Sequence, residues 1–243
     1  MTDPTPSPIP TSSPLRWRAW PTALFAANLT LLLIAGIVSI TMQPRRPSGL
    51  PDDAAARVVR NIVGGRIAVA TGPLRWQAAV LGGAPVANHA PDAAMRIHVR
   101  EARSSLEQVA RRHPRDPRAQ AAIAALQLAV HDHAGAAHRY RAACERAPHY
   151  GEGRLGLGVA LALLADRTPE IWQARQLRLE AIAQFAAVDT VDSLYRDALH
   201  DRALLLAEVG RTQEAARFAR ELLSREATGP GHERMRKIAA AQQ

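Results

Sequence analysis

Residues 132–150 read DHAGAAHRYRAACERAPHY, and within them Ala136, Tyr140, Ala143 and Pro148 follow the spacing A-x3-Y-x2-A-x4-P. One 34-residue period earlier, Ala102, Leu106, Val109 and Pro114 occupy the same four places. Ala215, Ala219 and Leu222 repeat the first three near the end of the chain. Self-similarity at this period marks stacked helical hairpins, in which each unit buries its apolar face only against its neighbours. The spacing therefore predicts an all-α solenoid. Such a fold builds a binding surface before it builds a reaction centre.

The composition agrees. Hydrophobic residues make up 47% of the chain but aromatics only 4%, and Ala and Leu dominate. Small side chains let helices approach closely, whereas strands draw on β-branched and aromatic residues. The formal net charge is +9, carried almost wholly by arginine, with Lys237 the one lysine. A basic balance attracts anionic surfaces. No nucleic-acid motif and no aromatic interleaving accompany the arginines, so no nucleic-acid partner is expected. Cys144 is the one cysteine and falls on the apolar side of a predicted helix, as a buried inert thiol would.

Before the repeats stands a span of different character. Residues 1–19 form a Pro-rich tail that cannot bury a core. Thr22–Met42 is a run of 21 residues without charge, bounded by Arg16 and Arg18 before and Arg45 and Arg46 after. As a helix it would be about 31 Å long, enough for a bilayer core of about 30 Å. A transmembrane helix is expected over residues 20–43, with Leu24, Leu31, Ile34 and Val38 facing lipid and Trp17 and Trp20 at the headgroups. The run is too long for a signal peptide, and no A-x-A-like site follows it. Residues 44–91 carry Gly64-Gly65, Gly72-Pro73, Gly82-Gly83, Pro85 and Pro91. These breakers predict an irregular linker.

From Pro91-Asp92 a long helix carries Met95, Val99, Ala102, Leu106 and Val109 on one face and stops before Pro114. Asp116-Pro117 then reads as an N-cap followed by proline at the first helical position, where its missing N–H costs nothing. Leu157-Gly158 and Leu161 open a further hairpin. Its second helix, with Ala181, Phe185 and Val188, comes 11 residues late, which predicts an elongated helix from Thr168-Pro169-Glu170 that carries Trp172 beyond the stack. Arg196 begins a last hairpin, with Leu199, Ala203 and Leu206 in one helix and Gly210 at the turn. Residues 228–243 read as a basic tail.

Over residues 92–227 the chain resembles the tetratricopeptide repeat (TPR) family. Small residues stand at Ala124, Ala136 and Gly158, a large one at Tyr140, and proline at Pro148, although tryptophan is missing from its usual place in every hairpin. The resemblance implies an all-α TPR-like solenoid, here with one N-terminal transmembrane helix. It also implies a concave groove lined by the first helices. That places Arg118, Glu152, Leu155, Val159, Asp197, His200 and Leu204 at partner-binding positions, with Trp172 on the inserted helix as a further contact. Ala125, Val159 and Leu204 stand where chaperone-binding members hold a peptide carboxylate, so an apolar helix or loop is the expected ligand. The same groove residues could instead pack on residues 47–91, which would fill the groove from within.

Chemistry finds little support. There is no G-x-S-x-G elbow, phosphate loop or C-x-x-C-H, so neither catalysis nor a cofactor is expected. His131-Asp132-His133 falls in a predicted turn, where solvated histidines are expected and no metal site. The resulting expectation is a single-span protein of the inner (cytoplasmic) membrane, bound to the lipid bilayer and to other protein subunits. Its repeat domain would scaffold a respiratory, photosynthetic or envelope complex as an accessory or assembly subunit. The alternative is a chaperone-like factor for cytochrome c maturation or envelope protein assembly. Anchored members of the family favour a periplasmic domain, while the arginine count across the span favours a cytoplasmic one.

Overall fold

Among the described residues eight helices follow one another, and their order is the repeat written out. The computed structural model describes residues 74–76, 93–229 and 231–241. These all belong to the second of two units, Pro47–Gln243; the first is Met1–Arg46. The helices are α1 (Ala93–Arg112), α2 (Pro117–Ala129), α3 (His133–Arg146), α4 (Gly151–Ala165), α5 (Ile171–Ala186), α6 (Tyr195–Glu208), α7 (Thr212–Arg225) and α8 (His232–Ala240). Each packs on the next, and α2, α4, α6 and α8 also touch in sequence along one side. That second set of contacts makes an inner row of α2, α4 and α6 with α3, α5 and α7 behind it. The result is an all-α arrangement of helical hairpins resembling tetratricopeptide repeats.

Local chemistry sets the boundaries. Asp116 caps α2 by accepting from the Arg118 N–H at 2.9 Å, with Pro117 at the first position. Asp132 caps α3, accepting from the Gly135 N–H at 2.9 Å and from the Gln127 side chain at 2.8 Å. His131 ends α2 in the left-handed region, at φ 62°. Along α1, Val99, Ala102, Leu106 and Val109 are all buried. Close helix approach is visible at two glycines: a Cβ at Gly156 would stand 2.3 Å from Tyr140 Cζ, and one at Gly158 2.3 Å from Phe185 Cε1.

Three expectations need correction. The late second helix of the middle hairpin is not one long helix from Thr168. α5 begins at Ile171 with 16 residues against 14 in α3, and the extra chain is spread over α4, the turn before α5 and the loop 187–194. Ala181, Phe185 and Val188 still face the core. Residues 228–243 are not merely a tail, since α8 packs on α6 and α7 with Met235 fully buried. His133 is not solvated: it is buried in the first turn of α3, and its Nδ1–H donates to the Leu163 carbonyl at 3.2 Å. Burial also pulls its pKa down. The expected transmembrane helix, with Trp17, Trp20, Leu24, Leu31, Ile34 and Val38, lies outside the described residues. Among the described residues no helix is long and apolar enough to cross a membrane.

The packing predicts unequal tolerance along α3. Ala136 is fully buried and Ala134 exposed. Ala136→Leu should cost about 1–3 kcal/mol by overfilling, while Ala134→Leu should stay within about 0.5 kcal/mol of the parent. Urea melts of the two variants check the difference. Equal midpoints would contradict the register.

Candidate protein-binding groove

The inner row carries apolar side chains at positions that would face a ligand in an open groove, and here they are covered. Leu155, Val159, Leu163 and Leu204 are buried, as is His200. Leu74 and Trp76, from the strap at residues 74–76, belong to the same continuous buried cluster. The strap is neither helix nor strand. It thus meets α6 and the end of α7 from a distant part of the chain.

Arg75 fixes the strap. Its main-chain N–H donates to Asp201 Oδ1 at 2.7 Å, and its guanidinium Nη1 bonds Glu226 Oε2 at 2.8 Å. Both partners of the ion pair are mostly buried. The Trp76 indole N–H donates to the Tyr140 hydroxyl, whose ring lies over Gly156 of α4. One short segment therefore joins α3 to α6 and the C-cap of α7.

The electrostatics follow from this desolvated setting. Asp201 is fully buried, and burial pushes its carboxyl well above the usual range despite the Arg75 N–H. Burial raises Asp197 as well, against the pull of the Arg75 charge. Glu226 is lowered: its partial burial acts upward, but the Arg75 hydrogen bond and charge outweigh that. His200 donates from Nδ1 to Asp201 Oδ1 at 2.9 Å. Burial first, and then the Arg75 charge, lower its pKa to about 3.

The other expected groove residues are divided. Arg118 is turned to its own cap, paired with Asp116. Glu152 accepts from the Tyr150 hydroxyl, and burial raises its pKa. Asp197 is half-buried within reach of the Arg75 charge. Trp172 is separate from the inner row: it stands in the first turn of α5, 70% exposed, beside Ile171 at 86%. Asp201, Glu226 and Leu74-Arg75-Trp76 were not anticipated. The available signal was Asp201 itself, a carboxylate beside His200 on the helix face expected to line the groove. Cys144 is buried, its thiol pushed up to about 11 by burial. Among the described residues no group of three His, Cys, Asp or Glu side chains could hold a metal ion.

No protein-family model matches this chain, and no curated protein does. Among solved structures it is similar to a thermophilic TPR protein of Thermus thermophilus, with 21% identity and a TM-score of 0.47, over 55% of this chain and 69% of that one. At that score the hairpin arrangement rests on the helix packing described above.

His200 gives the site a pH signature. Its folded pKa of about 3 lies below the ordinary 6.5, so the stability gained by keeping it neutral is present above pH 6.5. That stability is lost as pH falls from 6.5 towards 3, at up to about 1.4 kcal/mol per pH unit. Asp197 and Asp201, raised by burial, act in the opposite sense as pH falls towards their ordinary 3.8. Thermal melts from pH 7 to 4 should therefore show a smaller acid loss in His200→Asn than in the parent. Parallel curves would remove His200 as the source.

Proposed function

We propose that this protein is a membrane-anchored scaffold that holds a protein partner through its hairpin stack, as an accessory or assembly subunit of a multi-subunit membrane complex. The observation that carries the reading is the strap. The hairpin stack already holds a short non-helical segment of its own chain by a main-chain hydrogen bond to α6, an ion pair at the end of α7 and buried apolar side chains, which are the means by which a protein surface takes a peptide. Helical-repeat folds use that surface for protein partners, and no catalytic constellation competes with it among the described residues.

The anchor rests on the sequence, through the 21 uncharged residues of Thr22–Met42 and the arginines at both ends. It supports a place in the inner membrane, and the habit of anchored repeat proteins supports a periplasmic domain. A tether of this kind raises the effective concentration of a weak contact with a membrane-bound partner. Ile171 and Trp172 add a second point of contact outside the groove, since a large exposed apolar pair at a helix end suits an interface anchor.

Purification of the full chain in mild detergent, followed by mass spectrometry, should return a membrane protein in stoichiometric amount. Ile171→Ser with Trp172→Ser should reduce that partner at least several-fold while the melting temperature stays unchanged, because both side chains are exposed. Recovery of the chain alone from native membranes would defeat the scaffold reading.

A further inference from the structure

The contacts of the strap define the side-chain chemistry that this part of the stack accommodates. Leu74, Arg75 and Trp76 each make a different kind of contact. The two apolar side chains are buried as part of the hydrophobic core. Arg75 offers a main-chain N–H to Asp201 and a guanidinium to Glu226. Trp76 gives its indole N–H to Tyr140. The recognition surface is thus acidic at its centre and apolar on both sides.

We propose that this groove is a recognition site for an extended protein segment bearing arginine between leucine and tryptophan, with residues 74–76 as its resident occupant. A partner protein presents a segment of the same chemistry, which takes the strap's place. The inference rests on the reading of the hairpin stack as a scaffold, and it names the ligand of that surface.

Two observations distinguish an exchangeable occupant from an ordinary piece of core. The first is the chemistry of the pairing. An arginine held by a buried carboxylate adds little net stability compared with a well-packed apolar residue, because both charges must be desolvated, but it discriminates strongly between one occupant and another. A strap whose only task was to complete the hydrophobic core would need no arginine. The second is an unmet valence. Asp201 is completely buried, and its Oδ2 has no hydrogen-bond partner among the described residues. The strap therefore satisfies only one of the two oxygens. A segment that brings a hydrogen-bond partner to Oδ2 would outcompete it, since an unsatisfied buried polar atom is costly and pairing it recovers that cost.

The test uses the full chain in detergent and a labelled peptide with the sequence of residues 69–80, VATGPLRWQAAV. The wild-type chain should bind it weakly, because its own strap competes. A variant with Leu74, Arg75 and Trp76 all changed to Ser should bind at least tenfold more tightly. Adding Glu226→Lys to that variant should return binding to the wild-type level, and a peptide with the arginine changed to glutamate should not bind. A folded strap variant that binds no better than wild type overturns the proposal.

Should the strap variant fail to fold, hydrogen exchange on the wild-type chain decides. The Arg75 amide should exchange at least tenfold faster than the slowest amides of α4 and α6, and faster again with saturating peptide. Exchange of Arg75 only together with those helices makes the strap permanent core and overturns the proposal. The scaffold reading is judged separately by copurification. A partner recovered while the peptide fails to bind overturns the ligand assignment alone.

Discussion

Close approach between helices is the constraint on which the rest of this structure depends. α2 is rich in alanine where it meets its neighbours: Ala119, Ala122, Ala124 and Ala125 are buried, interleaved with Ile123, Leu126 and Leu128. α4 has no side chain at all where the Tyr140 and Phe185 rings lie over Gly156 and Gly158. Small residues on one helix and a large ring on the next give an interlocked surface with few voids, and interiors tolerate little departure from that density. The pitch of the hairpins follows, and with it the distance between α4 and α6. The spacing of the inner row is thus a product of alanine and glycine placement.

Within that space Arg75 organises the charges. Asp197, Asp201 and Glu226 converge on one guanidinium-bearing residue, and each responds in its own way: Glu226 pairs and is lowered, while Asp197 and Asp201 are raised by burial. A neutral His200 between them contributes a hydrogen bond without adding a cation. Such a cluster is a specificity device more than a source of stability. A charged substitution at Val159, which is fully buried, would damage the core and say nothing about a partner.

The sequence made the repeat legible because its signals are local. Ala136, Tyr140, Ala143 and Pro148 sit at fixed spacings, and Asp116-Pro117 carries its own cap. The strap was not legible as such. Leu74-Arg75-Trp76 lies among turn-forming residues, and its meaning comes from partners 126 and 151 positions away in the chain, a separation that no periodicity reports. His133 failed for a related reason. A turn position is usually wet, but here the next hairpin supplies a carbonyl and closes over it. In the middle hairpin the lateness of Ala181 was visible, yet extra residues can be shared between helices and loops while the packing face stays in phase. α8 was hidden by its composition, since a short basic segment with one deeply buried residue, Met235, has too few apolar positions to show a helical period.

The arginine excess also changes meaning once the hairpins are in place. Arg141 reaches Glu180 from α3 to α5, Arg154 reaches Gln184 from α4 to α5, and Arg139 lies near Glu107 of α1. Arg146 and Arg167 donate to the carbonyls of Pro114 and His131, each in a neighbouring turn. A guanidinium offers several donors in a rigid fork, so it can span two elements and satisfy main-chain acceptors as a lysine ammonium cannot. Individually these exposed contacts contribute little, typically under about 1 kcal/mol. Repeated along the stack they set the register of one hairpin on the next. Arg75 leaves this pattern, because it reaches the inner row from outside the helices. A tethered strap acts at an effective concentration commonly in the millimolar range, so a free segment with only the same three residues would seldom displace it. A successful partner must either contact more of the stack or be held beside it, and a shared membrane would provide the second condition.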